Sequence, residues 1–440
     1  MTDQVDHSIA EPGHREPGIG HPRLSALLWL LTAAAGAALS LRVIARARYA
    51  GEDSWFPMSQ ALDFLHGRSG QSVYEALFFS RHIKFQYPPT ALLSLEIGRH
   101  FNITTLLQYN FCNAGILIFT GLLFSLFVRG VAGKIYYSGI RVPLEPLAYL
   151  IALRFYPNNL AFEIGQMQLL LGLLFLAACY ALLNDRPILA GCLIAVAGMT
   201  KPQFLPLGLV AMWNRNWPFV IGLLLVAAIL AATSIWLYGW YNHADYLRVL
   251  SFLSRHGEFQ HLNQSIGGIL DRWLYRGPSL DRDPLGAIPQ SAFPPYIVEV
   301  YVSVLVSSIA MFATPFLIKM KGTDRVSRLI GFCMAAALFT LASPIAWVHH
   351  FNVLLPGYAV AVRGIFDRWR GGRAWFALTL IGLSAVLVGY PIVPASSATD
   401  PARNLLQSHV FFGACLLIAV FLAEAITLPS HLAANAERNS

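Results

Sequence analysis

Residues 216–239 read NWPFVIGLLLVAAILAATSIWLYG and contain no charged side chain. A run of about 20 apolar residues is long enough to cross the hydrocarbon core of a membrane as a helix. The apolar residues are continuous here, whereas the strands of a membrane β-barrel alternate apolar and polar positions. This segment therefore predicts a membrane-spanning α-helix.

Similar apolar runs recur along the whole chain and divide it into about twelve segments. They lie at about 24–45, 103–128, 144–160, 162–183, 187–200, 202–214, 216–239, 295–318, 329–346, 351–366, 374–392 and 407–428. We therefore predict an all-α polytopic membrane protein with about twelve transmembrane helices, forming one integral-membrane domain over 24–428. Several runs are short, and the region of Pro202 and Pro206 predicts helices broken inside the bundle.

The composition of the 440 residues excludes other classes of protein. Hydrophobic residues make up 56% of the chain and charged residues 12%, whereas soluble domains are about 25% charged. A single anchor with a soluble domain and a disordered chain are both excluded. The cysteines lie in apolar runs without metal-ligand spacing, which predicts buried free thiols rather than a disulfide framework. They are Cys112, Cys179, Cys192, Cys333 and Cys415.

The net charge of +8 first suggests an anionic partner such as nucleic acid. The basic residues instead form short clusters between apolar runs, so we expect no nucleic-acid partner. By the positive-inside rule, the side with these clusters is cytoplasmic. The clusters contain Arg129, Lys134, Arg141, Arg186, Arg215, Lys319, Lys321, Arg325, Arg328, Arg368, Arg370 and Arg373.

This orientation places the chain in the cytoplasmic (inner) membrane with both termini inside. Residues 1–23 form a polar cytoplasmic N-terminus before an uncleaved first span, and residues 429–440 form a cytoplasmic tail. The long polar stretches at about 46–102 and 240–294 then lie outside the membrane. Their patterns of apolar and polar residues, as around Trp55 and in 90–98, predict short interfacial helices.

Asp53 directly follows the first span and is the candidate general base. A carboxylate at the edge of the bilayer can accept a proton from a substrate hydroxyl. The alternative is structural, because aspartate often caps the N-terminus of a helix.

Two cations are candidates for binding a charged substrate. Arg154 and Lys201 fall within or between apolar segments, where a charged side chain is costly and often functional. In the structural alternative, Arg154 extends to the membrane surface or pairs with Glu163, and Lys201 caps a hairpin.

Polar side chains on the outer side suit hydrogen bonding to a sugar or a diphosphate-like group. They occur in Asn263-Gln264-Ser265 and in the stretch from Ser343 to His350, and include Asn263, Gln264, His349 and His350. A metal site with His243, His256 and His261 is conceivable, but the spacing matches no known ligand pattern and we predict none. Walker, GxSxG and HExxH motifs do not occur.

Taken in order, these patterns resemble glycosyltransferase family 87 of the GT-C class, which includes mycobacterial phosphatidylinositol-mannoside mannosyltransferases. The matching residues are Asp53, Tyr87-Pro88-Pro89, Gly165-Gln166, Lys201-Pro202, Asn263-Gln264-Ser265, Ser343-Pro344, Trp347 and His349-His350. The resemblance covers about 50–355 and implies a GT-C-like fold with an extracytoplasmic active site. The family has a tyrosine-containing aromatic stretch after its acidic residue, whereas this chain has Trp55-Phe56-Pro57, so Glu52 is an alternative base.

The resemblance implies inverting transfer of one sugar from a polyprenyl phosphate to a lipid or glycan acceptor. Mannose is the expected sugar. Asp53 would be the base, and Arg154 and Lys201 would stabilise the donor phosphate. Tyr87, Gln166, Asn263, Gln264, His349 and His350 would bind substrate. The donor carries its own activated bond, so we expect no cofactor and no metal. A lipid or glycan transporter or flippase and a non-catalytic envelope assembly protein remain as alternatives.

Overall fold

The computed structural model describes residues 21–67, 70–137, 140–258, 260–274, 293–318, 320, 322–392 and 404–427. Most of the predicted N-terminus 1–23, the tail 429–440, and Lys319 and Lys321 lie outside the described residues, as does part of the stretch 240–294. Most of the described chain is helical. The only described strands are β1 (Tyr136–Tyr137) and β2 (Ile140–Arg141), which pair antiparallel.

The helices are named in chain order. They are α1 (Pro22–Arg46), α2 (Trp55–His66), α3 (Leu93–His100), α4 (Leu106–Ala132), α5 (Leu144–Arg154), α6 (Tyr156–Glu163), α7 (Gln168–Leu183), α8 (Pro187–Thr200), α9 (Pro206–Trp213), α10 (Trp217–Tyr238), α11 (Trp240–His256), α12 (Ile266–Leu274), α13 (Val298–Leu317), α14 (Arg325–Ala342), α15 (Leu354–Arg368), α16 (Gly371–Gly389), α17 (Asn404–Gln407) and α18 (His409–Ile426). Short 3₁₀ turns cover Ala47–Tyr49, Pro89–Leu92, Pro202–Phe204 and Val348–Val353, and a π-helix covers Tyr74–Ser80.

Seven of the described helices are long and apolar enough to cross a membrane. They are α1, α4, α10, α13, α14, α16 and α18. The prediction of an all-α polytopic membrane protein is therefore confirmed. The other apolar runs also form helices, but shorter ones, such as α7 with 16 residues and α8 with 14, so the number of twelve spans stays a prediction.

The helices are interrupted near proline at two places. Phe155 has an extended backbone and separates α5 from α6. Pro157 lies in the first turn of α6. The side-chain amide of Asn158 donates to the carbonyl of Ala152 at 3.0 Å, which replaces a helical hydrogen bond lost at the break. The 3₁₀ turn Pro202–Phe204 separates α8 from α9, as the prolines predict.

The basic turns gather at one end of the helix bundle. Asp185, in the turn after α7, pairs with Arg325 and with Arg328, the latter at 3.0 Å. Both arginines lie at the start of α14. The opposite ends of α7 and α14 adjoin Gln166 and Ser343, which lie beside one cavity. The bundle therefore separates these two basic turns from this cavity, and the orientation of the chain in the membrane stays a prediction.

The two stretches that we placed outside the membrane pack on each other and share a core. The Tyr74 ring stacks on Phe85 at 5.4 Å between centroids and contacts Tyr246 of α11 at 5.6 Å. The backbone N–H of Val73 donates to the side chain of Asn242 at 2.9 Å. We call the packed elements of residues 50–102 and 240–258 the outer layer. The predicted short helices in these stretches are confirmed as helices.

Candidate functional site

A cavity of about 390 Å³ lies between the outer layer and the helix bundle. Six of the nine predicted catalytic and substrate-binding residues line it. They are Asp53, Tyr87, Gln166, Lys201, His349 and His350. They come from five separate parts of the chain, so the fold has brought predicted site residues together.

Backbone pairing places Asp53 at this cavity. The N–H of Gly51 donates to the carbonyl of Glu163 at 2.8 Å, and the N–H of Asp53 donates to the carbonyl of Ile164 at 3.0 Å. Gly165 follows with a φ of +71°, and a Cβ there would lie 2.0 Å from the Gly51 oxygen. Only glycine fits this close approach of two backbones.

A short hydrogen-bond network holds the Asp53 side chain. The Gln166 amide nitrogen donates to Asp53 Oδ2, and the Gln166 amide oxygen accepts from Ser54 at 2.9 Å and from Tyr87 at 3.1 Å. The N-cap of α2 is Ser54, and it makes no side-chain cap bond. In the described residues Asp53 therefore contacts Gln166 instead of capping α2, while Glu52 is exposed and does not line the cavity.

Lys201 supplies a partly buried amine to the same cavity. Its Nζ lies 2.8 Å from His350 Nε2 and 5.7 Å from the centroid of the Tyr87 ring. Burial lowers the pKa of Lys201 to about 7, and the nearby carboxylate of Asp53 opposes that shift. An anion bound here would favour the charged ammonium form for the same electrostatic reason.

The two imidazoles beside Lys201 are neutral and incompletely hydrogen-bonded. Burial lowers the pKa of His349 and of His350 well below the usual range, and the charge of Lys201 adds to the effect. When Lys201 is charged it can only donate to His350 Nε2, and the imidazole hydrogen of His350 then lies on Nδ1. Within the described chain, this Nδ1 and His349 Nε2 are buried without a hydrogen-bond partner. Buried polar atoms of this kind suit a polar ligand.

Asn263 and Gln264 form the scaffold of the site instead of its surface. The Asn263 side chain accepts from the N–H of Ala346 at 2.9 Å, and the N–H of Gln264 donates to the carbonyl of Ala346 at 2.7 Å. Residue 263 also forms a β-bridge with Trp347. Both side chains are buried and neither lines the cavity. They position the turn that carries His349 and His350, and their direct contact with a sugar stays a prediction.

Arg154 lies outside this cavity. It is exposed at the end of α5 and is not among the cavity-lining residues. Glu163, its alternative partner, pairs with Arg46 at 3.2 Å. The structure therefore does not place Arg154 in the wall of this cavity.

Sequence reasoning gave no role to several polar residues of the cavity wall, among them Lys84, Gln86 and Glu258. Lys84 and Gln86 both donate to the carboxylate of Glu258, at 3.0 and 3.2 Å, and all three line the cavity. The only sequence signal was the position of Lys84 and Gln86 just before Tyr87. Nothing local connects them with Glu258, which is 174 residues from Lys84.

The histidines considered for a metal site have other contacts. His243 bonds Ser234 and the carbonyl of Gly239, each at 2.9 Å, and His256 bonds the carbonyl of Pro294 at 2.9 Å. Among the residues that the structure describes, no group of three or more His, Cys, Asp or Glu side chains is arranged to hold a metal ion.

Comparison with known proteins identifies one family. The model of glycosyltransferase family 87 matches residues 85–344 of this chain. The match includes Tyr87, Gln166 and Lys201, and it begins after Asp53 and ends before His349. A search of curated proteins found no match.

Proposed function

The chain belongs to glycosyltransferase family 87, and we propose that it transfers one sugar from a polyprenyl-phosphate donor to a lipid or glycan acceptor. The transfer inverts the sugar carbon, and mannose is the sugar to test first. The main support is that one cavity combines the carboxylate of Asp53 with the partly buried amine of Lys201. A base and a phosphate-binding cation are the groups that such a transfer needs.

In the proposed reaction, Asp53 accepts the proton of the acceptor hydroxyl. The hydroxyl oxygen forms a bond to the sugar carbon, the bond from that carbon to the phosphate oxygen breaks, and the polyprenyl phosphate leaves. The hydrogen bond from Gln166 orients the carboxylate through Oδ2. Among the described residues, Oδ1 has no recorded partner, so it is the oxygen that we assign to the proton.

Lys201 and the neighbouring imidazoles would bind the phosphate. The ammonium compensates the charge of the phosphodiester, and the N–H at His350 Nδ1 is free to donate to a phosphate oxygen. Negative charge grows on the phosphate as the bond breaks, so these contacts strengthen in the transition state. The donor bond is already activated, and the reaction as proposed uses no cofactor or metal.

We propose the extracytoplasmic face of the cytoplasmic membrane as the place of transfer. The support is that the cavity lies at the end of the bundle opposite to the basic turns, which the positive-inside rule assigns to the cytoplasm. A polyprenyl chain could then stay in the bilayer while its sugar reaches the cavity.

The direct test is transfer by the purified full chain in nanodiscs. The protein would be incubated with decaprenyl-phosphate mannose and an envelope lipid and glycan extract, and mass spectrometry would record products that gain one hexose. Hexose addition that requires both donor and protein is the expected result. A transporter or assembly protein would leave the extract unchanged, and so would an enzyme of another donor class.

Removing the Lys201 charge should weaken donor binding, whereas removing the Arg154 charge should not. Lys201→Met should raise KM for decaprenyl-phosphate mannose by about tenfold or more, because a hydrogen bond to a charged group is lost from a buried site. Arg154→Met is the matched control, since Arg154 is exposed and outside the cavity. Donor titrations of initial rate provide the measurement, and equal effects of the two changes would contradict the assignment.

Donor affinity should decrease as pH rises above about 7, the pKa to which burial lowers Lys201. Below that pH the free lysine is charged, and above it binding must take up a proton, so affinity should fall by up to about tenfold per pH unit. The donor phosphodiester stays a monoanion over this range. The measurement is a series of calorimetric titrations with decaprenyl-phosphate mannose between about pH 6 and about pH 9, spaced by about one pH unit.

Lys201→Arg is the control for this pH dependence. A guanidinium stays charged at every pH used, so the decline in affinity should disappear even if the affinity itself changes. A decline of the same slope in the arginine variant would assign the effect to another group.

A further inference from the structure

A second polar cluster lies on the wall of the cavity formed by the outer layer. Lys84 Nζ donates to one carboxylate oxygen of Glu258 at 3.0 Å, and the Gln86 amide donates to the other at 3.2 Å. The proposed transfer assigns no task to these residues. We call Lys84, Gln86 and Glu258 the outer-wall cluster.

The members of the outer-wall cluster differ in what a ligand can reach. The Glu258 side chain has 0% of its surface exposed, whereas Lys84 keeps 31%, and Gln86 is also partly exposed. Glu258 therefore lies behind the two others and acts through them. A buried carboxylate without partners would be costly. Each oxygen of the Glu258 carboxylate accepts a hydrogen bond from a side chain that lines the cavity.

The charge of the outer-wall cluster indicates the kind of ligand. Lys84 and Glu258 neutralise each other, so this wall adds no net charge for a phosphate. It still presents donor hydrogens of the Lys84 ammonium that Glu258 does not use, together with the oxygen of the Gln86 amide. Donors and acceptors without net charge suit hydroxyl groups, and a site built for hydroxyls discriminates strongly against ligands that lack them.

We propose that Lys84 and Gln86 bind hydroxyl groups of a neutral sugar ring, and that Glu258 is the positioning residue that orients them. This inference rests on the proposed function for the identity of the reaction. The cavity then has two parts: Lys201 and the imidazoles bind phosphate, and the outer-wall cluster binds a sugar. That sugar belongs either to the donor or to the acceptor, and the two sources are separable by binding.

The test measures binding to the full chain in nanodiscs by calorimetry, without turnover. The probes are decaprenyl phosphate, decaprenyl-phosphate mannose, and methyl α-D-mannopyranoside added in the presence of saturating decaprenyl-phosphate mannose. In the wild type, decaprenyl-phosphate mannose should bind more tightly than decaprenyl phosphate. If the outer-wall cluster binds the donor sugar, Lys84→Met removes this difference in affinity. If it binds the acceptor sugar, that difference persists and methyl mannoside binding weakens about tenfold or more.

Decaprenyl phosphate itself should bind Lys84→Met as it binds the wild type, and Lys201→Met should weaken it. The proposal is overturned if Lys84→Met weakens neither sugar-dependent quantity, or if it weakens decaprenyl phosphate to the same degree. Because binding is measured without turnover, a wild-type protein that shows this separation but transfers no sugar would refute the proposed function and leave the sugar site standing.

The role of Glu258 is tested by a double-mutant cycle. Glu258→Gln should weaken the same sugar-dependent quantity as Lys84→Met, and it should add little in the Lys84→Met background, because it acts through Lys84. A purely structural role would lower the thermal midpoint and weaken sugar and phosphate probes together, with additive effects.

Asp245→Asn is the matched structural control for Glu258→Gln. Asp245 is also a buried carboxylate of the outer layer and accepts from Arg248 at 2.9 Å, but it does not line the cavity. It should change stability and leave the sugar-dependent affinity unchanged. A loss of sugar affinity in Asp245→Asn equal to that in Glu258→Gln would overturn the positioning role.

Discussion

Replacing Asp53 by asparagine should reduce sugar transfer by about 10²- to 10⁴-fold, the usual loss when a general base is removed. The amide has nearly the same shape but cannot accept the proton of the acceptor hydroxyl. Donor binding and the thermal midpoint should stay close to those of the wild type, because Asp53 is exposed and its backbone pairing with Ile164 does not depend on the side chain. Single-turnover transfer rates at saturating donor provide the measurement.

Two further observations decide between Asp53 and the alternatives. Glu52→Gln should be mild, because Glu52 is exposed and does not line the cavity. An inactive Glu52→Gln variant with an active Asp53→Asn variant would make the neighbour the base. Full activity of both variants would reject the proposed mechanism, because neither carboxylate would then be needed to accept the proton.

Gly165→Ala should reduce transfer by about 10²-fold or more, because small displacements of catalytic groups have effects of that size. The new Cβ would lie 2.0 Å from the Gly51 oxygen, so the two backbones must separate. That separation breaks the 3.0 Å hydrogen bond from Asp53 to Ile164 and moves the Gln166 amide away from the Asp53 carboxylate. Transfer rate and thermal midpoint would be measured together.

Gly133→Ala is the control for the loss of stability that alanine causes at any position with a positive φ. Gly133 has a φ of +69°, and a Cβ there meets nothing within 4 Å. It should therefore lower the thermal midpoint without changing the transfer rate. If Gly165→Ala transferred sugar as fast as Gly133→Ala, close pairing of the two backbones would not be what places Asp53.

Much of the fold was predictable because hydrophobicity is a property of consecutive residues. Each of the twelve apolar runs forms a helix or a pair of helices, and the breaks near Pro157 and Pro202 follow from the lost backbone hydrogen bond. How many of the shorter helices cross the bilayer does not follow from the runs. Helices such as α9, with 8 residues, are too short to span alone.

Three predicted site residues, Arg154, Asn263 and Gln264, do not line the cavity. The cost of a charge in a membrane made Arg154 a candidate, but that cost does not reveal which face of the bundle the side chain occupies, and Arg154 is exposed at the end of α5. Asn263 and Gln264 lie near the site, and their side chains hydrogen-bond to backbone groups. Whether an amide contacts a ligand or the backbone depends on which groups lie opposite to it, and those groups come from residue 346 and its neighbours.

By itself, the sequence determined the membrane class, the helical segments and six residues that line the cavity, since these depend on local composition and on short motifs. Only the tertiary structure decided that Asp53 bonds Gln166 across 113 positions and that Lys84 and Gln86 share Glu258. It also decided that Arg154 lies apart. The physical reason is that such contacts form only when distant segments pack together. Neither segment's own sequence indicates which distant residues it will contact.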